Sequence, residues 1–409
     1  MATAPDATSP LGIRPAPLHL VDPALASRVA APAPDAIATA DRATVTTTDP
    51  LSYLNVLRMP DAGTDLRTAL LANRDALERL LSANVFTGGS APRFAWYRMA
   101  VGGHEQTALI AEVAIDDYER GCIVRHEHTR TDVEEQLAAL LDVVGANASP
   151  VALASAADDR LRALCHRATS GRPHMRFVSS DGVEHTLWTT EDPDMIAQVR
   201  AAAAALDRLY ITDGHHRFAA GARVAAARRA AGADHDTPEQ WLLAALFPAD
   251  ELRILPFHRA VARPRELSTS ALLERLRAAA GTRPLPGPAA PDRAHHFTAY
   301  VDGHWFELSA GATGDGPLDT LDVVVLQQRV LAPVFGVTQP RLDPRLQYVA
   351  GGPADVAEHC RRERAVGFVV RPTTMEQLMA VADAGLAMPP KSTRFDPKLP
   401  SGLVLRLMR

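Results

Sequence analysis

Three glycine-bearing turns, each set between β-prone runs, limit this chain more than any other feature. Asp181-Gly182 and Asp302-Gly303 suit a two-residue turn with positive φ, and Gly102-Gly103 separates RFAWYRMA (93–100) from TALIAEVAI (107–115). Hairpins pair strands antiparallel, so a purely parallel sheet is excluded. Amphipathic helices are predicted around them. Leu66, Leu70, Leu77, Leu80 and Leu81 share one face over 66–83, and Val133, Leu137, Leu140, Leu141 and Val144 do so over 131–144. Further helices are expected at 192–206, 269–280, 317–335 and 373–384, the last closed by Gly385. Strands are expected after Pro150, at Leu209-Tyr210-Ile211, at 241–247, at 252–262, from Gly367 and from Leu403 to Leu407. No internal repeat is visible. The fold class is mixed α/β of the α+β kind, with three parts: a Pro/Ala-rich segment over 1–50, a core over 51–235 and an α+β region over 236–409.

Composition narrows the function classes. A net charge of −5 lacks the basic face of a nucleic-acid binder, so no nucleic-acid partner is expected. No run approaches the length needed to cross a bilayer, and the first thirty residues lack the basic-then-apolar order of a signal peptide. Cys122, Cys165 and Cys360 are too few and too scattered for a disulfide framework, which fits a reducing cytoplasm. The cations are nearly all Arg. The only lysines, Lys391 and Lys398, fall seven residues apart, as if a compact ammonium were needed there.

Three constellations carry chemistry. At a strand-to-helix junction stands Ile211-Thr212-Asp213-Gly214-His215-His216-Arg217, where free N–H groups and the helix dipole attract phosphate. Gly214 allows close approach of an anion, and Arg217 has the fork for phosphate oxygens. Asp213 is placed either to hold Mg²⁺ or to cap the helix. Adjacent histidines lack the i, i+3 or i+4 spacing of a zinc pair. Arg125-His126-Glu127-His128-Thr129-Arg130 then sets a carboxylate among histidines and arginines, a candidate general base, with a charged helix entry capped by Thr129 or Thr131 as the plainer reading. Last, Met388-Pro389-Pro390-Lys391-Ser392-Thr393-Arg394 is a stiff, cationic, hydroxyl-bearing loop suited to phosphate or carboxylate, without the Walker spacing.

These blocks, with Ser52-Tyr-Leu-Asn-Val, Asp117-Tyr-Glu-Arg-Gly, Asn147-Ala-Ser-Pro-Val, Thr186-Leu-Trp and Leu255-Pro-Phe-His-Arg, resemble the bacterial domain-of-unknown-function family 1015 along nearly the whole chain. Ala31-Pro32-Ala33-Pro34-Asp35 stands where that family carries a Pro-Pro-Tyr-Asp-like block. Residues 120–230 also resemble the ParB/sulfiredoxin fold of free-serine kinases, apart from a long insertion at 157–207. That resemblance implies Glu127 as base, with Asp213, Gly214, His215, His216 and Arg217 as the phosphate loop.

The expected function is therefore a nucleotide-dependent phosphotransferase on a small hydroxyl compound, free L-serine leading. Glu127, Asp213 and His216 are the expected catalytic residues. Gly214, His215, His216, Arg217, Lys391, Ser392 and Thr393 would hold phosphate, and Arg125, His126 and Arg130 the acceptor. ATP or ADP with Mg²⁺ on Asp213 is implied, with no organic redox cofactor. The rivals are a non-catalytic nucleotide-binding regulator of ParB-like fold and a metal-dependent hydrolase or phosphatase built on His126, His128, His215 and His216.

Overall fold

The computed structural model describes residues 11–33, 39–60, 65–234 and 236–408; Pro34 and Asp35 of the N-terminal block lie outside them. The chain forms two compact units, one running to Leu252 and resumed from Pro397, the other spanning Arg253–Asp396. Its class is mixed α/β, as the hairpin and helix signals require.

The first unit is built on a nine-stranded sheet. Its strands are β1 (Ile13–Arg14), β2 (Phe94–Val101), β3 (His104–Ala114), β4 (Ile123–Val124), β5 (Val151–Ser155), β6 (Met175–Val178), β7 (Glu184–Thr190), β8 (Leu209–Asp213) and β9 (Trp241–Pro248). They lie in the order β4-β8-β5-β9-β3-β2-β7-β6, with β1 paired to β3. The β4–β8 and β5–β9 pairs are parallel and the others antiparallel. Val101 faces His104 across Gly102-Gly103, whose φ values of 57° and 79° are those of a twist-matched hairpin turn.

Both faces of this sheet are buried, which explains why its central strands read as unbroken apolar runs. Ala95, Tyr97 and Met99 of β2, Ala108 and Ile110 of β3, and Leu243, Ala245 and Phe247 of β9 enter one core. Their neighbours Phe94, Trp96, Leu109, Ala111, Leu242, Ala244 and Leu246 enter the other. Helices α1 (Leu66–Ser82), α2 (Thr131–Val144), α3 (Asp159–Thr169), α4 (Pro193–Ala204) and α5 (His215–Ala230) cover it, α2 packing on both α1 and α5.

The division between units falls at Leu252 and not at residue 235, because β9 lies inside the first sheet. The Pro/Ala-rich N-terminal segment contributes Leu18–Val21, which pairs with both Phe86–Gly88 and the final strand Val404–Leu407. Leu18, Leu20, Val21, Ala26 and Val29 are fully buried there.

In the second unit six strands form a wholly antiparallel sheet, ordered Gly281–Leu285, His304–Ser309, His296–Val301, Ala365–Val369, His258–Ala262, Leu346–Val349. The strand expected at 252–262 is cut into Ile254–Leu255 and His258–Ala262, with Pro256 supplying no N–H between them. The helix expected from 317 begins at Asp322 and winds as a π-turn over Gln327–Leu331, just before Pro333, whose missing N–H breaks the α ladder. Among the described residues no helix is long and apolar enough to cross a membrane.

Candidate functional site

Strand β8 ends at Asp213, the chain turns through Gly214 at φ 97°, and α5 begins at His215. No side chain of Gly214 caps this helix start, so the positive end of the dipole of a sixteen-residue helix lies at the turn. A Cβ on residue 214 would lie 2.9 Å from the Arg217 guanidinium. Arg217 folds back over the turn: Nη1 donates to the carbonyls of Ser149 (2.9 Å) and Pro150 (2.7 Å), and Nη2 to Asp213 (2.5 Å). The free phosphate fork expected from sequence is therefore corrected to an internal brace, which ties the Asn147–Pro150 corner to the turn.

Asp213 meets two cations. Its second oxygen accepts from Lys398 Nζ at 3.0 Å. Burial alone would raise its pKa, but Arg217 and Lys398 outweigh that and hold the carboxyl below the usual range. With both oxygens engaged by cations, Asp213 does not fit as an Mg²⁺ ligand. Among the described residues no group of three or more His, Cys, Asp or Glu side chains is arranged to hold a metal. Of the histidines weighed for a hydrolase centre, His215 and His216 accept from backbone N–H groups.

Those partners come from the His-Glu loop. The His126 N–H points to Nε2 of His215 at 3.4 Å, and the Arg130 N–H donates to Nε2 of His216 at 3.1 Å. The adjacent histidines thus clamp the 126–130 loop onto the start of α5, and each uses Nε2 as acceptor. The remaining proton of a neutral ring then sits on Nδ1. For His215 that atom faces Glu127 Oε2 at 3.6 Å. Burial keeps His215 neutral, lowering its pKa well below the ordinary value, with the neighbouring His126 and His216 rings and Arg125 and Arg217 adding to the effect. Burial also lowers His216. Glu127 keeps 41% of its side chain exposed beside this buried imidazole.

The two motifs therefore build one place, yet not every expected side chain reaches it. His126 is 1% exposed and packs edge to face on His215, so its role as an acceptor ligand is corrected to a buried support. His215 is equally inside, and only its backbone and its contact with Glu127 belong to the turn's surface. Arg125 is exposed, and Arg130 is exposed and paired with Asp132. The N-cap of α2 is Arg130 without a side-chain cap, while Thr129 instead donates to Glu134 at 2.5 Å.

Sequence reasoning missed Lys398 and the Asn147–Pro150 corner. The corner is fixed by Asn147, which accepts from the Ser149 N–H, and by a 2.6 Å bond between the hydroxyls of Ser149 and Ser401. The scarcity of lysine flagged Lys398, but its seven-residue offset from Lys391 could not say which of them meets Asp213. Lys391, Ser392 and Thr393 belong to the second unit. There Ser392 is buried and its hydroxyl donates to the Pro389 carbonyl, so the expected phosphate contact through that group is corrected to a loop-stiffening bond. Thr393 is partly exposed next to it.

Residues 13–324 match the family described as "Protein of unknown function (DUF1015)", and the chain belongs to that family. No curated protein matches it. Among solved structures it is similar to a free serine kinase in complex with AMP, at 15% identity, covering 73% of this chain and 91% of that one with a TM-score of 0.35. It is also similar to a conserved hypothetical protein from Pyrococcus furiosus (15% identity, 73% and 95% covered, TM-score 0.33) and to SbnI from Staphylococcus aureus (12%, 73% and 87%, 0.34).

Proposed function

We propose that the first unit transfers a phosphoryl group from a nucleotide to the hydroxyl of a small molecule, with free L-serine as the leading acceptor. One observation carries this reading: Glu127, a half-exposed carboxylate, lies 3.6 Å from His215 at the N-terminus of α5. An anion-binding helix start and a base within one clamp are the two requirements of a reaction that consists mostly of positioning and charge stabilisation.

In this mechanism the donor phosphates lie against the N–H groups that follow Gly214. The acceptor hydroxyl oxygen attacks the terminal phosphorus, its proton passes to Glu127, and the bridging oxygen of the departing nucleotide, shorter by one phosphate, keeps the electron pair of the broken P–O bond. Lys398 and Arg217 supply positive charge around Asp213. Serine as acceptor and a cytoplasmic setting rest on the motif resemblance and on the free thiols Cys122, Cys165 and Cys360.

A second reading has support from Arg217, whose side chain is spent inside the protein. The same turn would then bind nucleotide without turnover. Incubating the protein with ATP or ADP, Mg²⁺ and a pool of hydroxy-amino acids separates the two. A mass gain of one phosphate on serine supports transfer; nucleotide-induced thermal stabilisation without product favours the regulator. Neither product nor stabilisation overturns both.

A further inference from the structure

The second unit places two cations, Lys391 and Arg394, near one aromatic ring, Phe257. Strand Ile254–Leu255 pairs with Arg394–Phe395, which brings the Leu255-Pro-Phe-His-Arg block beside the Met388–Arg394 loop. Lys391 Nζ lies 5.1 Å from the centroid of the Phe257 ring, and the Arg394 guanidinium carbon lies 6.0 Å from it. Arg259, only 5% exposed, donates to the Phe257 carbonyl at 2.6 Å and to the Pro390 carbonyl at 3.4 Å. Its guanidinium stands over Tyr348 at 4.6 Å. Arg259 therefore pins the loop whose tip carries Lys391.

The nearby carboxylates that could neutralise these charges are engaged elsewhere. Asp396 pairs with Arg253 at 2.7 Å, and Asp355 accepts from the Gly352 N–H at 2.7 Å. Among the described residues Lys391 and Arg394 meet no carboxylate, and the buried Nε of Arg394 has no hydrogen-bond partner. Lys391 is also held at φ 54°, a conformation that side chains other than Gly, Asn and Asp rarely adopt. A strained lysine and a guanidinium with an unpartnered buried Nε, 5.1 and 6.0 Å from the same ring centroid, are costly to maintain for the fold alone. They are what a preorganised anion site requires.

We propose that the second unit carries an anion site of its own, in which Lys391 and Arg394, grouped at Phe257, bind the phosphate of a small phosphorylated molecule. A dianionic phosphate matches the two cations. A monocarboxylate would leave one uncompensated, and a planar guanidinium with a compact ammonium is a pairing suited to phosphate oxygens. The site uses residues of the second unit alone and stands whether or not the first unit transfers phosphate.

Titration calorimetry of the full chain at about 0.15 M salt tests it, with inorganic phosphate, pyrophosphate and ADP as separate probes. Lys391→Gly keeps the backbone angle and removes the ammonium, so it is expected to hold or raise thermal stability while weakening pyrophosphate binding about tenfold or more. Lys391→Gly/Arg394→Gln is expected to lower the stoichiometry by one site, and Glu127→Gln to leave it unchanged. Preference for ADP over pyrophosphate at this site would identify a nucleotide as its ligand, and equal affinity would identify the bare phosphate group. Unchanged pyrophosphate binding in the double variant, or none in the unsubstituted protein, overturns the proposal.

Discussion

His126 and His215 meet edge to face, ring centroids 4.5 Å apart at 89°, with the backbone N–H of the first directed at Nε2 of the second. Burial pushes His126 down to about 4, against smaller opposing effects of the Ile211 backbone and of Asp213. Protonation at this position therefore favours the unfolded chain. Its contribution is complete above the ordinary value of 6.5 and is lost as pH falls toward about 4. That window corresponds to about 3 kcal/mol for one proton taken up on unfolding. Denaturant titrations from neutral to acid pH should show this loss. His126→Leu, which removes the titrating group, should flatten the slope by about one proton. An unchanged slope would mean that the ring titrates freely in the fold.

His216 has a different task. By accepting from the Arg130 N–H at 3.1 Å it fastens the far end of the loop that carries Glu127. His216→Ala should accelerate amide exchange at residues 126–130 by about tenfold while leaving the β9 strand protected. A glutamine at 216 can still accept, and should restore much of the protection.

Gly214 is fixed by backbone and by space together. At φ 97°, with Arg217 where a Cβ would project, Gly214→Ala should cost about 1–3 kcal/mol. The displaced guanidinium would release the Ser149 and Pro150 carbonyls. Weaker nucleotide-induced stabilisation should accompany the lower Tm; intact stabilisation would show that this turn is not the phosphate cradle.

How much of this was legible in the sequence follows from where the local signal was strong. Leu66 to Leu81 mark α1 at helical spacing, and Asp181-Gly182 marks its hairpin, because each pattern lies inside a short window. Leu18–Val21 carried no such signal, since a four-residue strand is defined by its partners Val404–Leu407 and Phe86–Gly88 from remote parts of the chain. At the site, Glu127 and the Asp213–Arg217 turn were visible as motifs. Their inward and outward faces were not: α5 is rich in Ala and Arg, so periodicity could not show that His215 is buried while His216 is not. Arg217 was misread for a related reason. Its acceptors are backbone carbonyls of Ser149 and Pro150, which no sequence displays.

The Lys398–Asp213 pair links the C-terminal segment to the turn at 3.0 Å, with side chains 20% and 30% exposed. Asp213 has its pKa depressed, so this stabilisation is present above the unfolded carboxylate's value and disappears as pH falls through the lower folded one. Lys398→Met should cost about 1–2 kcal/mol at neutral pH and progressively less in acid. Asp213→Asn should cost at least as much, because it leaves Arg217 and Lys398 facing each other without a counter-ion. A double-mutant cycle on Tm measures the coupling, and a value near zero would reduce the contact to an incidental surface pair.

Glu127→Gln isolates chemistry from structure. The amide oxygen still offers an acceptor to the Nδ1–H of His215, which lies 3.6 Å from the native carboxylate, so the clamp and Tm should hold. What is lost is a group able to take the acceptor's proton. Turnover should fall by about 10²–10⁴. The nucleotide's own affinity should change less than about threefold, because the helix start that holds its phosphates is untouched. Steady-state rates on serine and nucleotide titrations of both proteins read these quantities independently. Equal turnover in the two would remove Glu127 from the reaction and return the turn to a binding role.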